Sequence, residues 1–241
     1  MIGRIFVKYF ELPENEDTLF LRQRKRLHPN MPRITVIHDD RPMLKAPDEL
    51  EESKSKYRDK KVIFMVRDPR DVIVSSYFEM KNRGVLFGDN PHEKRKAVFE
   101  GTLSEFIQRK EGGFDTIIKY YNIWAENQHV PKGFLLVRYE DLKTKPIEGL
   151  RRILNFLGLS EVSEEIIQDA TDFASFDNMR KMESEGKFQD DMLKPADKTN
   201  PDTYKTRIGK VRGYLDYLSE KEIAILDQKL STQLSNTYGY A

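Results

Sequence analysis

The chain contains no cysteine. It can therefore form no disulfide and has no thiolate chemistry, a usage that points to the cytoplasm. Histidine is scarce as well, four residues without a paired spacing, which argues against a metal site. A dominant charge is lacking too. Forty-one Lys and Arg face 40 Asp and Glu, and the net charge of +1 excludes a global basic field for nucleic acid. Any anion site must therefore be local. No apolar run approaches the ~20 residues of a membrane span. The opening residues, Met1 to Val7, have neither a basic start nor a small-residue cleavage site, so no signal peptide is expected. What remains is a chain of 241 residues, 34% charged and 38% hydrophobic, long enough for one sizeable α/β domain over 1–241.

One stretch organises the rest, Val62 to Phe78. Val62-Ile63-Phe64-Met65-Val66 is an apolar run without alternation, as in a strand buried on both faces of a parallel sheet. Arg67 to Asp71 then form a polar turn. Val72, Ile73, Val74, Tyr77 and Phe78 continue at helical spacing, and Pro69 suits a first helical turn. The unit is strand–turn–helix with cations at the strand's C-terminal end, where ligands of open α/β sheets bind and helix N-termini attract anions. An arginine fork at Arg67 and a hydroxyl at Ser75 make a sensible phosphate pair. The residues alone leave a second reading open, in which Arg67 and Asp71 simply pair across the turn.

Arg67, Asp71 and Ser75 stand in the pattern R-x-x-x-D-x-x-x-S after a buried strand. This resembles the 3′-phosphate-binding segment of the sulfotransferase family, whose members use 3′-phosphoadenosine 5′-phosphosulfate (PAPS) to sulfate hydroxyls or amines. The resemblance implies that Arg67 and Ser75 hold the nucleotide's 3′-phosphate. It extends along the chain in order. His38 follows a run read as a strand, Pro32 to Ile37, and matches the family's general base, with Asp39 and Asp40 as alternatives. Gly133 to Val137 reads as another buried strand, ending in Arg138-Tyr139-Glu140-Asp141-Leu142, which resembles V-x-Y-E-D-L and implies Tyr139 near the adenine or the bridging region. Ser175-Phe176-Asp177-Asn178-Met179 resembles S-F-x-x-M, where the phenylalanine stacks on adenine; taken alone, Phe176 reads as core. Arg207 and Gly209 match the last nucleotide motif, R-K-G-x-x-G-x-W, although Ile208 and Arg212 depart from it. The resemblance implies Arg207 on the 3′-phosphate, with backbone N–H groups of the Gly209 turn beside it.

Met1 to Phe10 reads as a helix without an N-cap or a preceding strand. In the resembled family a loop near P-K-S-G-T-T-W holds the donor's 5′ end just before such a helix. No such motif occurs in the 241 residues. The resemblance implies that the first strand and this loop lie upstream; a free-standing amphipathic helix is the alternative.

Elsewhere the patterns predict a basic helix over 18–27, a charged helix over 48–57, and a loop over 84–100 placed on the acceptor pocket. Helices are expected at 114–127, 147–157 ended by Gly158, and 163–171. Capping boxes are expected at Thr102/Glu105 and Ser219/Glu222, and a long polar loop at 183–205 suits a lid. The expectation is an α/β, three-layer domain with a short parallel sheet flanked by helices, akin to P-loop nucleoside kinases, with its first strand missing. Its reaction would be sulfuryl transfer from PAPS to a small-molecule, glycan or lipid acceptor, with no metal. A catalytically inactive nucleotide-binding remnant or interaction protein is the alternative. A phosphoryl-transferring P-loop kinase relative fits less well, because G-x-x-x-x-G-K-[ST] is absent.

Overall fold

The computed structural model describes residues 1–22, 27–87, 95–188 and 193–240, with backbone alone at 85–87 and 95–97. In chain order the elements begin with α1 (Ile2–Tyr9), α2 (Glu16–Leu19), β1 (Lys61–Val66) and α3 (Pro69–Phe78), which runs into a π-helical turn at Glu79–Arg83. A hairpin, β2 (Val85–Phe87) and β3 (Arg95–Ala97), then precedes α4 (Leu103–Ile107) and α5 (Phe114–Glu126). The strand β4 (Gly133–Arg138) leads directly into α6 (Tyr139–Thr144). After it come α7 (Pro146–Leu157), α8 (Glu164–Phe173), α9 (Phe176–Ser184) and α10 (Glu220–Gln233).

These elements form two compact units. One comprises Met1–Ile37, Tyr139–Pro195 and Tyr204–Arg207; the other His38–Arg138, Ala196–Thr203 and Ile208–Ala241. In the first, α1 buries Ile5 and Phe6 against Leu150 and Leu154 of α7 and Ile167 and Ala170 of α8. Gly3 is required there, because a Cβ at this position would lie 2.0 Å from the Leu19 carbonyl oxygen. Arg4 Nε donates to Asp169 at 2.6 Å and its Nη2 at 3.1 Å, fixing α1 on α8 by a fork. Gly158 ends α7 in the left-handed region at φ 80°, as expected.

In the second unit β1 and β4 pair in parallel, Lys61 opposite Gly133 through Val66 opposite Arg138. Phe64 and Val66 are buried in an aromatic core. The Phe64 ring stacks on Trp124 of α5 with centroids 5.1 Å apart, and Tyr121 and Tyr238 complete the cluster. Such ring pairs add about 0.5–1.5 kcal/mol each beyond the area they bury. Met65 is 55% exposed, so β1 is not buried on both faces as its apolar run suggested. Successive strand side chains point to opposite faces, and Phe64 and Val66 take the covered one.

Further expectations are corrected. Residues 32–37 form no strand and pair with none of the described strands, and Val36 and Ile37 lie exposed. A β-branched run becomes a strand only beside a partner, and none of the described strands adjoins it. The segment 48–57 is two short 3-10 turns, Pro47–Glu49 and Ser55–Tyr57, rather than a helix. The helix expected over 18–27 is only α2, ending at Leu19, with 23–26 outside the described residues. The loop over 84–100 contains the β2–β3 hairpin, with 88–94 outside the described residues. Of the expected lid, α9 covers the start, and a turn at Pro201–Thr203 is docked by Asn82 and Arg83, which donate to the Asp202 and Thr203 carbonyls at 3.1 and 2.7 Å. Residues 189–192 lie outside the described set.

Candidate nucleotide-binding site

The strand–turn–helix forms as its sequence dictates. Asp68 caps α3, accepting the Arg70 N–H at 2.9 Å, and Pro69 occupies the first turn. At the end of β1 the backbone of Arg67 is clasped by Tyr121. The Arg67 N–H donates to the phenol oxygen at 3.2 Å and the phenol donates to the Arg67 carbonyl at 2.9 Å. Arg67 and Asp71 do pair, Nη2 to Oδ2 at 3.2 Å. The same Nη2 donates to the Lys210 carbonyl at 3.0 Å. The Arg67 side chain keeps a quarter of its surface exposed, and Asp71 is buried beneath it. Ser75 lies one helical turn beyond Asp71 on the same face of α3 and is exposed. The ion pair across the turn therefore forms, and Ser75 is exposed further along the same helix.

The Gly209 turn meets this cluster in the same unit. Asp71 accepts the Arg212 N–H at 3.0 Å and the Tyr214 N–H at 2.9 Å. Gly209 adopts φ 61° and Arg212 φ 59°, both in the left-handed region. Tyr214 is buried, with the Arg70 guanidinium 4.7 Å from its ring centroid. Burial pushes the Asp71 carboxyl above the usual aspartate range, against the pull of Arg67 and the Tyr214 amide. Nothing in the local sequence signals that Asp71 grips a turn 141 residues away; the motif marks the residue but not its partner.

His38 is exposed, and among the described residues its side chain makes no hydrogen bond or ion pair. The two neighbouring aspartates are committed elsewhere. Asp39 is buried between Lys54 Nζ at 2.8 Å, Lys56 Nζ at 2.9 Å and the Tyr57 hydroxyl at 2.6 Å. Burial raises its carboxyl, but the three donors outweigh it and hold the pKa below the ordinary range. Asp40 binds Lys45 and accepts the Glu51 N–H at 2.5 Å. Both aspartates are thus engaged by neighbouring donors, while the His38 ring is exposed.

The remaining expected residues lie in the other unit. Tyr139 opens α6, and Lys143, one turn on, sits with Nζ 5.8 Å from the Phe176 ring centroid. Phe176 opens α9, capped by Ser175, and is half-buried rather than core. The other end of α9 anchors the segment before Arg207. Buried Glu183 accepts the Lys205 and Thr206 N–H groups at 2.6 and 3.0 Å and the Thr206 hydroxyl at 2.6 Å. Arg180 donates to the Thr206 carbonyl at 3.0 Å and lies over the Tyr204 ring. The unit therefore sets Lys143 of α6 beside Phe176 and ties α9 to the residues preceding Arg207.

The sulfotransferase domain model matches residues 22–237. Among curated relatives, cytosolic sulfotransferase 12 of Arabidopsis thaliana is 28% identical over 214 residues, covering 86% of this chain and 57% of its own. Cytosolic sulfotransferase 13 of the same plant is 29% identical over 163 residues, 63% of this chain and 44% of its own. The chain spans about half the length of the curated relatives it matches. Among solved structures, mouse sulfotransferase SULT7A1 complexed with PAP aligns with a TM-score of 0.58 at 19% identity, over 81% of this chain and 66% of that one. Retinol dehydratase in complex with androsterone and PAP aligns at 0.55 and 19%, over 80% and 52%. These likenesses establish the P-loop-like α/β fold, with its short parallel sheet flanked by helices, and with the domain match over 22–237 the chain belongs to the sulfotransferase family.

Proposed function

We propose that the protein transfers a sulfuryl group from 3′-phosphoadenosine 5′-phosphosulfate to a hydroxyl or amine, and that this chain grips the donor by its 3′-phosphate. The observation that carries the reading is the cluster at the start of α3. A partly exposed guanidinium and a left-handed glycine turn are joined through buried Asp71, with the exposed Ser75 hydroxyl one helical turn beyond it, donors of the kind that hold an anion. The family match supports treating 1–241 as a single sulfotransferase domain.

In this reading Arg67, Ser75 and the Gly209 turn bind the 3′-phosphate, joined by Arg207. Phe176 offers a face to the adenine, with Tyr139 beside it. When bound, the donor supplies an activated sulfuryl group. His38 takes the proton of the attacking hydroxyl, a task for which its exposed ring is accessible. No metal enters the scheme. Acceptors are small molecules, lipids or glycans. A cytoplasmic site of action belongs to the same reading, supported by relatives named cytosolic.

A thermal-shift titration tests it. Adenosine 3′,5′-bisphosphate should raise the melting temperature where ATP with magnesium does not. Stabilisation by ATP and magnesium alone would transfer the assignment to phosphoryl chemistry. Stabilisation by neither at millimolar concentration would overturn nucleotide binding by this chain.

A further inference from the structure

Asp71 makes contacts that neutralising Arg67 does not require. Its carboxylate, 1% exposed, takes one guanidinium hydrogen bond and two backbone N–H groups, from Arg212 and Tyr214, which lie 141 and 143 residues further along the chain. Those two amides bracket Gly213 and leave the turn little freedom. Arg212 is held in the left-handed region, a conformation costing about 1 kcal/mol or more for a residue with a side chain. The Tyr214 ring is buried beneath Arg70, which is itself bound to the Asp68 cap. From the other side Arg67 reaches the Lys210 carbonyl. The guanidinium and the turn are thus cross-linked twice, once directly and once through Asp71.

We propose that Asp71 is a positioning residue, which sets the Gly209–Tyr214 turn and the Arg67 guanidinium in one register so that a 3′-phosphate meets both together. The inference rests on the nucleotide reading above and deepens it. Asp71 touches no ligand itself. It acts by holding backbone donors and the arginine fork at fixed separation, a preorganisation that improves affinity by reducing what must be ordered on binding. Substitution by asparagine keeps the shape but replaces one accepting oxygen with an NH₂ group, which opposes one of the two amides.

The test compares Asp71→Asn with the wild-type 241-residue chain by calorimetric titration, using adenosine 3′,5′-bisphosphate and adenosine 5′-phosphate. The variant should lose about tenfold in affinity for the bisphosphate, the worth of one charge-assisted hydrogen bond, while its affinity for the 5′-phosphate stays within about twofold. Asp216→Asn, which removes the exposed partner of Lys210 on the same turn, should leave the ratio of the two affinities unchanged. Parallel loss for both nucleotides, in step with melting temperature, would reduce Asp71 to a structural residue and overturn the proposal, as would an unchanged ratio. If the wild-type chain itself fails to discriminate the two ligands, the nucleotide reading falls. Positioning is then decided by amide hydrogen exchange. Faster exchange confined to Arg212 and Tyr214 in Asp71→Asn supports it, and unchanged exchange there overturns it.

Discussion

Asp39 and Asp71 lie in the same compact unit, one beside His38 and the other a turn beyond Arg67, and they answer burial in opposite ways. Asp39 is surrounded by charge, two lysine ammoniums and a phenol, one of the lysines fully buried against Trp124 and Tyr120. Asp71 has one guanidinium and otherwise accepts from the backbone. The first carboxyl is held below its ordinary pKa; the second is pushed above it, because burial outweighs its single cation. An aspartate saturated with ammoniums anchors a loop. An aspartate that shares its arginine and grips a turn leaves that guanidinium a quarter exposed.

The largest effect should come from Asp39→Ala. It strands the Lys54 ammonium in the core, and losing one partner of a buried pair costs about 3–5 kcal/mol, measurable by urea unfolding. Adding Lys54→Met to Asp39→Ala should recover much of that loss. Failure to recover would mean that Asp39 does more than balance Lys54.

Next in size is Arg67→Ala. Affinity for adenosine 3′,5′-bisphosphate should fall by about 30- to 100-fold, equivalent to ~2–3 kcal/mol, because a forked cationic donor is lost. Arg67→Lys should recover only part of this, since an ammonium lacks the planar fork. Asp71→Asn should cost the fold about 1–2 kcal/mol, less than Asp39→Ala, since the asparagine oxygen still accepts one amide.

The smallest effect is a matter of sign. With its folded-state pKa lowered, Asp39 contributes stability that is present above the ordinary aspartate range and lost as pH falls through the lowered value. With its folded-state pKa raised, Asp71 binds more protons folded than unfolded, so stability falls as pH rises from the ordinary range through the raised value. Relative to wild type, Asp39→Asn should flatten the acid loss of stability and Asp71→Asn should flatten the opposing decline. Both changes are read from unfolding free energies measured as pH falls below and rises above the ordinary aspartate range. Slopes of the same sign would erase the contrast.

Much of this architecture is local and could be read in advance. The switch from an apolar run to helical spacing at Asp68-Pro69 marks β1 and α3. The capping boxes at Thr102/Glu105 and Ser219/Glu222 form as their spacing requires. The tertiary features were not legible. Lys54 sits in a charged run, Glu51 to Lys56, that reads as surface, yet it is the ion at the centre of a buried cluster. Val36 and Ile37 have strand chemistry without a strand beside them. Asp71 appears in a motif naming its neighbours Arg67 and Ser75, while its two backbone partners lie far along the chain, where Ile208 and Arg212 depart from the family pattern. Side-chain identity marked the candidate anion receptor; only the fold shows that Asp71 ties Arg67 to the distant turn.

The central claim, a 3′-phosphate held at the start of α3, is tested most directly by isothermal titration of the wild-type chain and Arg67→Ala with adenosine 3′,5′-bisphosphate and adenosine 5′-phosphate. The account predicts that the wild-type chain prefers the bisphosphate by at least about tenfold, and that Arg67→Ala abolishes the preference. Equal affinity for both nucleotides in the wild-type chain, or a preference that survives the loss of Arg67, would contradict it.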